Sequence, residues 1–117
     1  MQSKNHKPTA KQRAWRETVR ALGCYNHTGR PAEVHHVVGA AGRQDKVKIG
    51  HWFILPLCTE CHRTHPEHNV TTWRHRYTEK FHSQRVQWLG VCTRLIQQGE
   101  PLPFSKAVTN AIVATDK

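Results

Sequence analysis

Residues 24–62 read CYNHTGRPAEVHHVVGAAGRQDKVKIGHWFILPLCTECH, and the spacing of cysteine and histidine along them decides the fold. Cys24 and His27 stand at C-x2-H spacing near one end, and Cys58 and Cys61 at C-x2-C spacing near the other. A two-residue gap lets a knuckle turn aim both side chains at one ion, and three thiolates with one imidazole are an ordinary ligand set for structural Zn2+. Such closure would tie residue 24 to the start of the element after residue 61, stabilising a core that is otherwise too small. The competing reading is of buried apolar cysteines and a surface histidine; the paired spacings favour zinc. Cys92 lies outside both pairs, in an amphipathic stretch, and reads as a plain core residue.

Between the knuckles the chain turns over residues 28–31 and extends over 32–38. Gly39, Gly42 and several polar residues down to Lys48 form a basic loop of the Ω kind. The aromatic and branched run at 51–57 suits a buried strand, stopped by Pro56. His62 should then open a helix that Pro66 interrupts or confines to a turn. Upstream, Ala14, Trp15, Val19 and Leu22 recur at helical spacing, and Gly23 suits a left-handed cap. Downstream, residues 70–98 form one or two helices, with Trp73 and Trp88 expected in the core rather than as base-stacking platforms. The fold class is α+β, with a zinc-stabilised β-hairpin and crossing helix flanked by N-terminal and C-terminal helices. Residues 1–10 read as a flexible basic arm, 11–98 as a single domain, and 99–117 as a tail whose apolar end docks or frays.

The chain has 117 residues, with 18 Lys and Arg against 8 Asp and Glu, a formal charge of +10. That balance points to a polyanionic partner held through phosphate contacts, with nucleic acid the natural candidate. No window approaches the length of a membrane span, and the opening residues lack the apolar segment of a secretory signal, so a cytoplasmic location is expected. In that compartment four cysteines are poor disulfide candidates.

Ten histidines, most of them between residues 24 and 82, add chemistry to the charge. His35 and His36 close the first strand, and neighbours on a strand point to opposite faces, so one can hold a metal while the other addresses substrate. Phosphodiester hydrolysis needs that division: a divalent ion on the phosphate and a neutral imidazole to take a proton from water. On this reading His36 is the base, His35 and His62 hold the ion, and His65, one helical turn on, is a third ligand or an orienting neighbour. Arg43, Lys46, Lys48, Arg63, Arg74 and Arg76 would line a phosphate track, with solvated surface charge as the rival reading. His6, His75 and His82 carry no assigned role, and His68 is undecided.

The sequence C-x2-H with Thr28-Gly29-Arg30, then Glu33-Val34-His35-His36-Val37, then Leu57-Cys58-x2-Cys61-His62, resembles the HNH, or His-Me finger, nucleases in order and spacing. The resemblance implies a ββα-metal site in which His36 is the general base and His35 and His62 are metal ligands. The ion it implies is Mg2+ or Mn2+, or Zn2+, and the four knuckle residues would carry a separate zinc. The position of the family's asparagine is Phe53 here, and His51 would stand in for it, stabilising the hairpin or orienting His36. The run HHVVGAAGR followed by GHWFILPLCTECHR is similar to the phage and prophage recombination-enhancement, RecA-dependent (Ref) nucleases. That implies a DNA endonuclease acting in recombination, with RecA-coated DNA as a partner. The main rival is a noncatalytic zinc module that binds nucleic acid.

Overall fold

The structure, a computed structural model, describes residues 7–117. His6 and residues 1–6 of the expected basic arm lie outside the described residues. Thr9 starts the first helix, α1 (Ala10–Ala21): its hydroxyl accepts from the Gln12 N–H at 3.1 Å, and the Gln12 side chain accepts from the Thr9 N–H at 2.9 Å. This reciprocal cap satisfies two orphan donors, and losing such a cap costs about 1 kcal/mol. The helix therefore begins before residue 14, because apolar spacing marks the buried face whereas the cap marks the end. Trp15 and Val19 are its buried residues, and Gly23, at φ +78°, closes it in the left-handed region.

Four strands follow: β1 (Glu33–His36), β2 (Arg43–Gln44), β3 (Val47–Lys48) and β4 (Ile54–Leu57). β1 and β4 pair antiparallel, with His35 opposite Leu55 and His36 opposite Ile54. Both are shorter than expected. Residues 51 and 52 turn instead of extending, since the N–H groups of Trp52 and Phe53 both donate to the Ile49 carbonyl, at 2.9 and 2.7 Å. His51 is therefore a turn residue at the mouth of the hairpin. The expected loose loop holds its own ribbon, β2 paired with β3, around Asp45 and Lys46 at φ +52° and +67°. Gly50 is dictated by crowding: a Cβ there would sit 2.3 Å from the carbonyl oxygens of Gly39 and Ala40.

The second knuckle runs into one π-helical turn, Glu60–Thr64, which includes Cys61 and replaces the helix expected from His62. Proline disfavours helical backbone in the residue before it, and His65, preceding Pro66, is accordingly extended at φ −62°, ψ 127°. Two helices, α2 (Arg74–Phe81) and α3 (Gln84–Gln97), occupy the long helical stretch, separated at His82, whose φ is +108°. Trp88, Val91, Cys92 and Leu95 bury one side of α3. Trp73, expected in the core, is instead 38% exposed, with the Arg76 guanidinium over its ring. It stands at the N-terminal end of α2, where helical spacing no longer implies an inward face. The apolar end of the tail docks: α4 (Lys106–Val113) buries Val108, Ala111 and Ile112.

One backbone atom ties hairpin and helices together. The Trp52 carbonyl, just before β4, accepts from the indole N–H of Trp15 in α1 at 3.1 Å and of Trp88 in α3 at 2.9 Å. The result is an α+β fold whose two small sheets and helices share one core, with the cysteine knuckles at its edge.

Candidate metal centre and histidine cluster

The turn after α1 is held by Cys24 N–H to the Arg30 carbonyl at 2.9 Å and Arg30 N–H to the His27 carbonyl at 3.2 Å. The Tyr25 N–H donates to the Pro56 carbonyl at 2.8 Å, which brings this first knuckle against β4 and so beside the second. His27 Nδ1 then lies 3.2 Å from Cys61 Sγ, 3.8 Å from Cys58 Sγ and 3.9 Å from Cys24 Sγ, and all four ligand atoms fall within 4.8 Å of one another. A tetrahedron with Zn–S bonds of about 2.3 Å and a Zn–N bond of about 2.0 Å has edges of about 3.5 to 3.8 Å. Cys24, His27, Cys58 and Cys61 therefore match a structural zinc in both donor type and spacing.

The electrostatics agree. A hydrogen bond from Cys61 holds the Cys24 thiol down at about 4, and the same contact pushes Cys61 far up. A cation bound there would deprotonate both sulfurs. Around them, Asn26 Nδ2 donates to Cys61 Sγ at 3.6 Å and Arg30 to Cys58 Sγ at 3.8 Å. Asn26 also belongs to a closed polar ring. Its Nδ2 donates to Tyr77 Oη at 2.9 Å, Tyr77 donates to Gln87 Oε1 at 2.6 Å, and Gln87 Nε2 returns to Asn26 Oδ1 at 2.8 Å. The ring fastens the first knuckle to α2 and α3.

On β1 the two histidines diverge. His35 meets α3, donating from Nε2 to Gln84 Oε1 at 2.8 Å, and its ring centroid is 5.1 Å from that of His62. His62 donates from Nδ1 to Glu33 Oε1 at 2.8 Å. One nitrogen of each ring is thereby engaged, leaving His35 Nδ1 and His62 Nε2 as the lone pairs an ion could use. Burial is the main reason the His35 imidazole sits near 4, with the Gln84 bond opposing and the neighbouring histidines adding to it. His36 contacts His51 instead, ring centroids 5.4 Å apart. Burial first, then His51 and Arg16, lowers His36 below the usual histidine range. Burial thus favours the neutral form of both rings.

His65 is not part of this pair. Its ring stacks on His68 with centroids 3.4 Å apart, and its Nδ1 accepts from the Glu67 N–H at 3.1 Å. Among the described residues, the knuckle quartet is the only group of three or more potential ligands at metal-binding separation. His35, His62 and His65 do not form such a set, because the helical turn that would have aligned the last two is broken before Pro66. His68 leans on Phe81, and His75 lines a cleft beside His35.

The basic residues divide. Arg63 is engaged by Glu33 through two bonds of 2.9 Å, a pairing that is the chief reason the Glu33 carboxyl falls to about 2. Arg76 covers Trp73. Arg43 and Lys48, opposite each other on β2 and β3, line a small cavity with His51, and Arg74 lines the cleft with His75. Glu33, Gln84 and the Asn26–Tyr77–Gln87 ring were not among the residues the sequence singled out for a role in the site. Only Glu33, within the motif at 33–37, carried any signal.

Comparison of the chain with protein-family models, with curated proteins and with solved structures finds no significant match to any of them. Among the described residues no helix is long and apolar enough to cross a membrane.

Proposed function

We propose that this chain is a metal-dependent endonuclease of the HNH, ββα-metal kind, hydrolysing DNA phosphodiester bonds. The observation that carries the reading is the arrangement at the end of β1: His35 beside His62, and His36 beside His51. A divalent cation, Mg2+ or Mn2+, held between His35 and His62 would polarise the scissile phosphate and stabilise the departing 3′ oxygen. Glu33 and Gln84 hold the two rings in the tautomers that leave a lone pair for that ion. His36, kept neutral by burial, accepts the proton of the attacking water, and His51 orients it. The knuckle zinc holds the hairpin against the helices and takes no part in the chemistry.

The formal charge of +10 supplies the attraction for the polyanion. The likeness to Ref nucleases extends the proposal to phage or prophage recombination, with RecA-coated DNA as a partner. A noncatalytic zinc module that binds nucleic acid would share the charge and the knuckles. It would have no use for a neutral histidine pair beside His62. His36→Ala separates the two: under the nuclease reading it binds DNA as the unmodified chain does and cuts none, and a binding module shows no cutting to lose.

A further inference from the structure

A cleft of about 470 Å3 opens beside His35, walled by Thr71, Thr72, Arg74 and His75 and by Gln84. A second cavity of about 490 Å3 shares Arg74 and His75 and is otherwise lined by Thr78, Glu79, Ser83, Asp116 and Lys117, so its far end carries two carboxylates. Ligand sites run from about 300 to 1,000 Å3, so the first cleft alone is large enough for a small ligand. The wall is tied to the histidine pair on both sides, since Thr71 Oγ1 donates to the His62 carbonyl at 2.6 Å and Gln84 accepts from His35.

Two groups in this cleft have unmet bonding capacity. Gln84 is only 2% exposed; its Oε1 accepts from His35, and its Nε2 donates to no group among the described residues. A buried amide N–H without an acceptor is rare in native proteins, and a ligand is one of the things that can satisfy it. Arg74 likewise forms no ion pair among the described residues, whereas Arg63 is taken up by Glu33 and Arg76 by Trp73. A free guanidinium and a buried amide donor facing one polar cleft suit an anion with several acceptor oxygens.

We propose that the cleft is a subsite for the nucleotide adjacent to the scissile position, its phosphodiester held by the Arg74 guanidinium and the Gln84 side-chain N–H. This rests on the nuclease reading only for the word scissile; the phosphate site itself does not require cutting.

The test is binding of a short fluorescein-labelled DNA duplex to the full-length His36→Ala chain, followed by anisotropy over a series of salt concentrations. Adding Arg74→Ala weakens binding and lowers the slope of log K against log salt by about 0.9, the value for one lost phosphate contact. Arg76→Ala, a control two positions on whose guanidinium covers Trp73, leaves the slope unchanged. Gln84→Glu keeps the acceptor for His35 but turns the donor into a negative charge, and weakens binding at least about tenfold. Arg74 is exposed, so its removal leaves the fold intact. An unchanged slope and affinity in Arg74→Ala overturns the subsite. Plasmid nicking by the unmodified chain then tells the two claims apart: nicking with an Arg74-independent slope leaves the nuclease and removes the subsite, and an Arg74-dependent slope without nicking does the reverse.

Discussion

Glu33 Oε1 and His62 Nδ1 lie 2.8 Å apart, joining the first residue of β1 to the π-helical turn that carries Cys61 of the second knuckle. The contact fixes which nitrogen of His62 carries the proton and turns the other one free. Arg63 grips the same carboxylate, so the Glu33 side chain is itself held in place. Removing such a partner costs about 10- to 100-fold in metal affinity or activity. Glu33→Ala is expected to lower nicking within that range and to raise the Mn2+ concentration needed for half-maximal rate. A metal dependence identical to that of the unmodified chain would remove Glu33 from this role.

Zinc held by Cys24, His27, Cys58 and Cys61 would close the loop from residue 24 to residue 61, and structural zinc contributes about 10 to 16 kcal/mol to the folding of zinc-finger peptides. That is comparable to the whole stability of an ordinary domain, about 5 to 15 kcal/mol. The purified chain is therefore expected to carry one zinc per molecule by elemental analysis. Cys58→Ser or Cys61→Ser should lose the metal and the cooperative thermal transition together. Retention of the transition without zinc would show that the core stands without its metal.

The pH dependence follows from His36. A base works only when deprotonated, so activity falls as pH drops through its pKa. Burial, with His51 and Arg16 adding to it, holds His36 below its ordinary 6.5. The acid limb of the nicking rate should accordingly lie below pH 6.5. Arg16→Ala removes one of the disfavouring charges, raises the His36 pKa and moves the limb toward higher pH. A limb that stays in place, or moves to lower pH, contradicts the assignment.

The Asn26–Tyr77–Gln87 ring is a stability feature with its own test. Tyr77→Phe takes away the hydroxyl that accepts from Asn26 and donates to Gln87, leaving buried groups short of partners. The expected loss is about 1 to 3 kcal/mol in chemical denaturation, with zinc content unchanged. Tyr77 is kept protonated by burial, so no titration in the working range complicates the measurement.

Local signals in the sequence were the ones that survived into the structure. The C-x2-H and C-x2-C spacings were legible because each knuckle is set within a few residues, whereas their convergence depends on the Tyr25 N–H meeting the Pro56 carbonyl across the fold. Gly23 ends α1 for the same reason, since only the backbone at that point is involved. The π-helical turn was half legible: Pro66 marked the break, but the separation of His65 from His35 and His62 needed the backbone itself. Trp73 and Trp88 had the same helical spacing, yet one is exposed and the other fully buried. Periodicity gives a face without saying where along a helix the neighbouring elements stop. Gln84 and Gln87 were silent because polar partners far apart in the chain leave no period to read. Their bonds span 49 and 61 positions, to His35 and Asn26.

Nicking of supercoiled plasmid tests the central claim most directly, with the unmodified chain and His36→Ala purified in parallel and assayed with Mg2+, with Mn2+ and with EDTA. The account predicts conversion to the nicked form by the unmodified chain only with divalent metal, and none by His36→Ala under any condition, although both bind the plasmid. If both proteins are folded and bound and the plasmid stays intact throughout, including against a RecA-coated partner strand, the nuclease reading is wrong and the zinc-stabilised binding module takes its place.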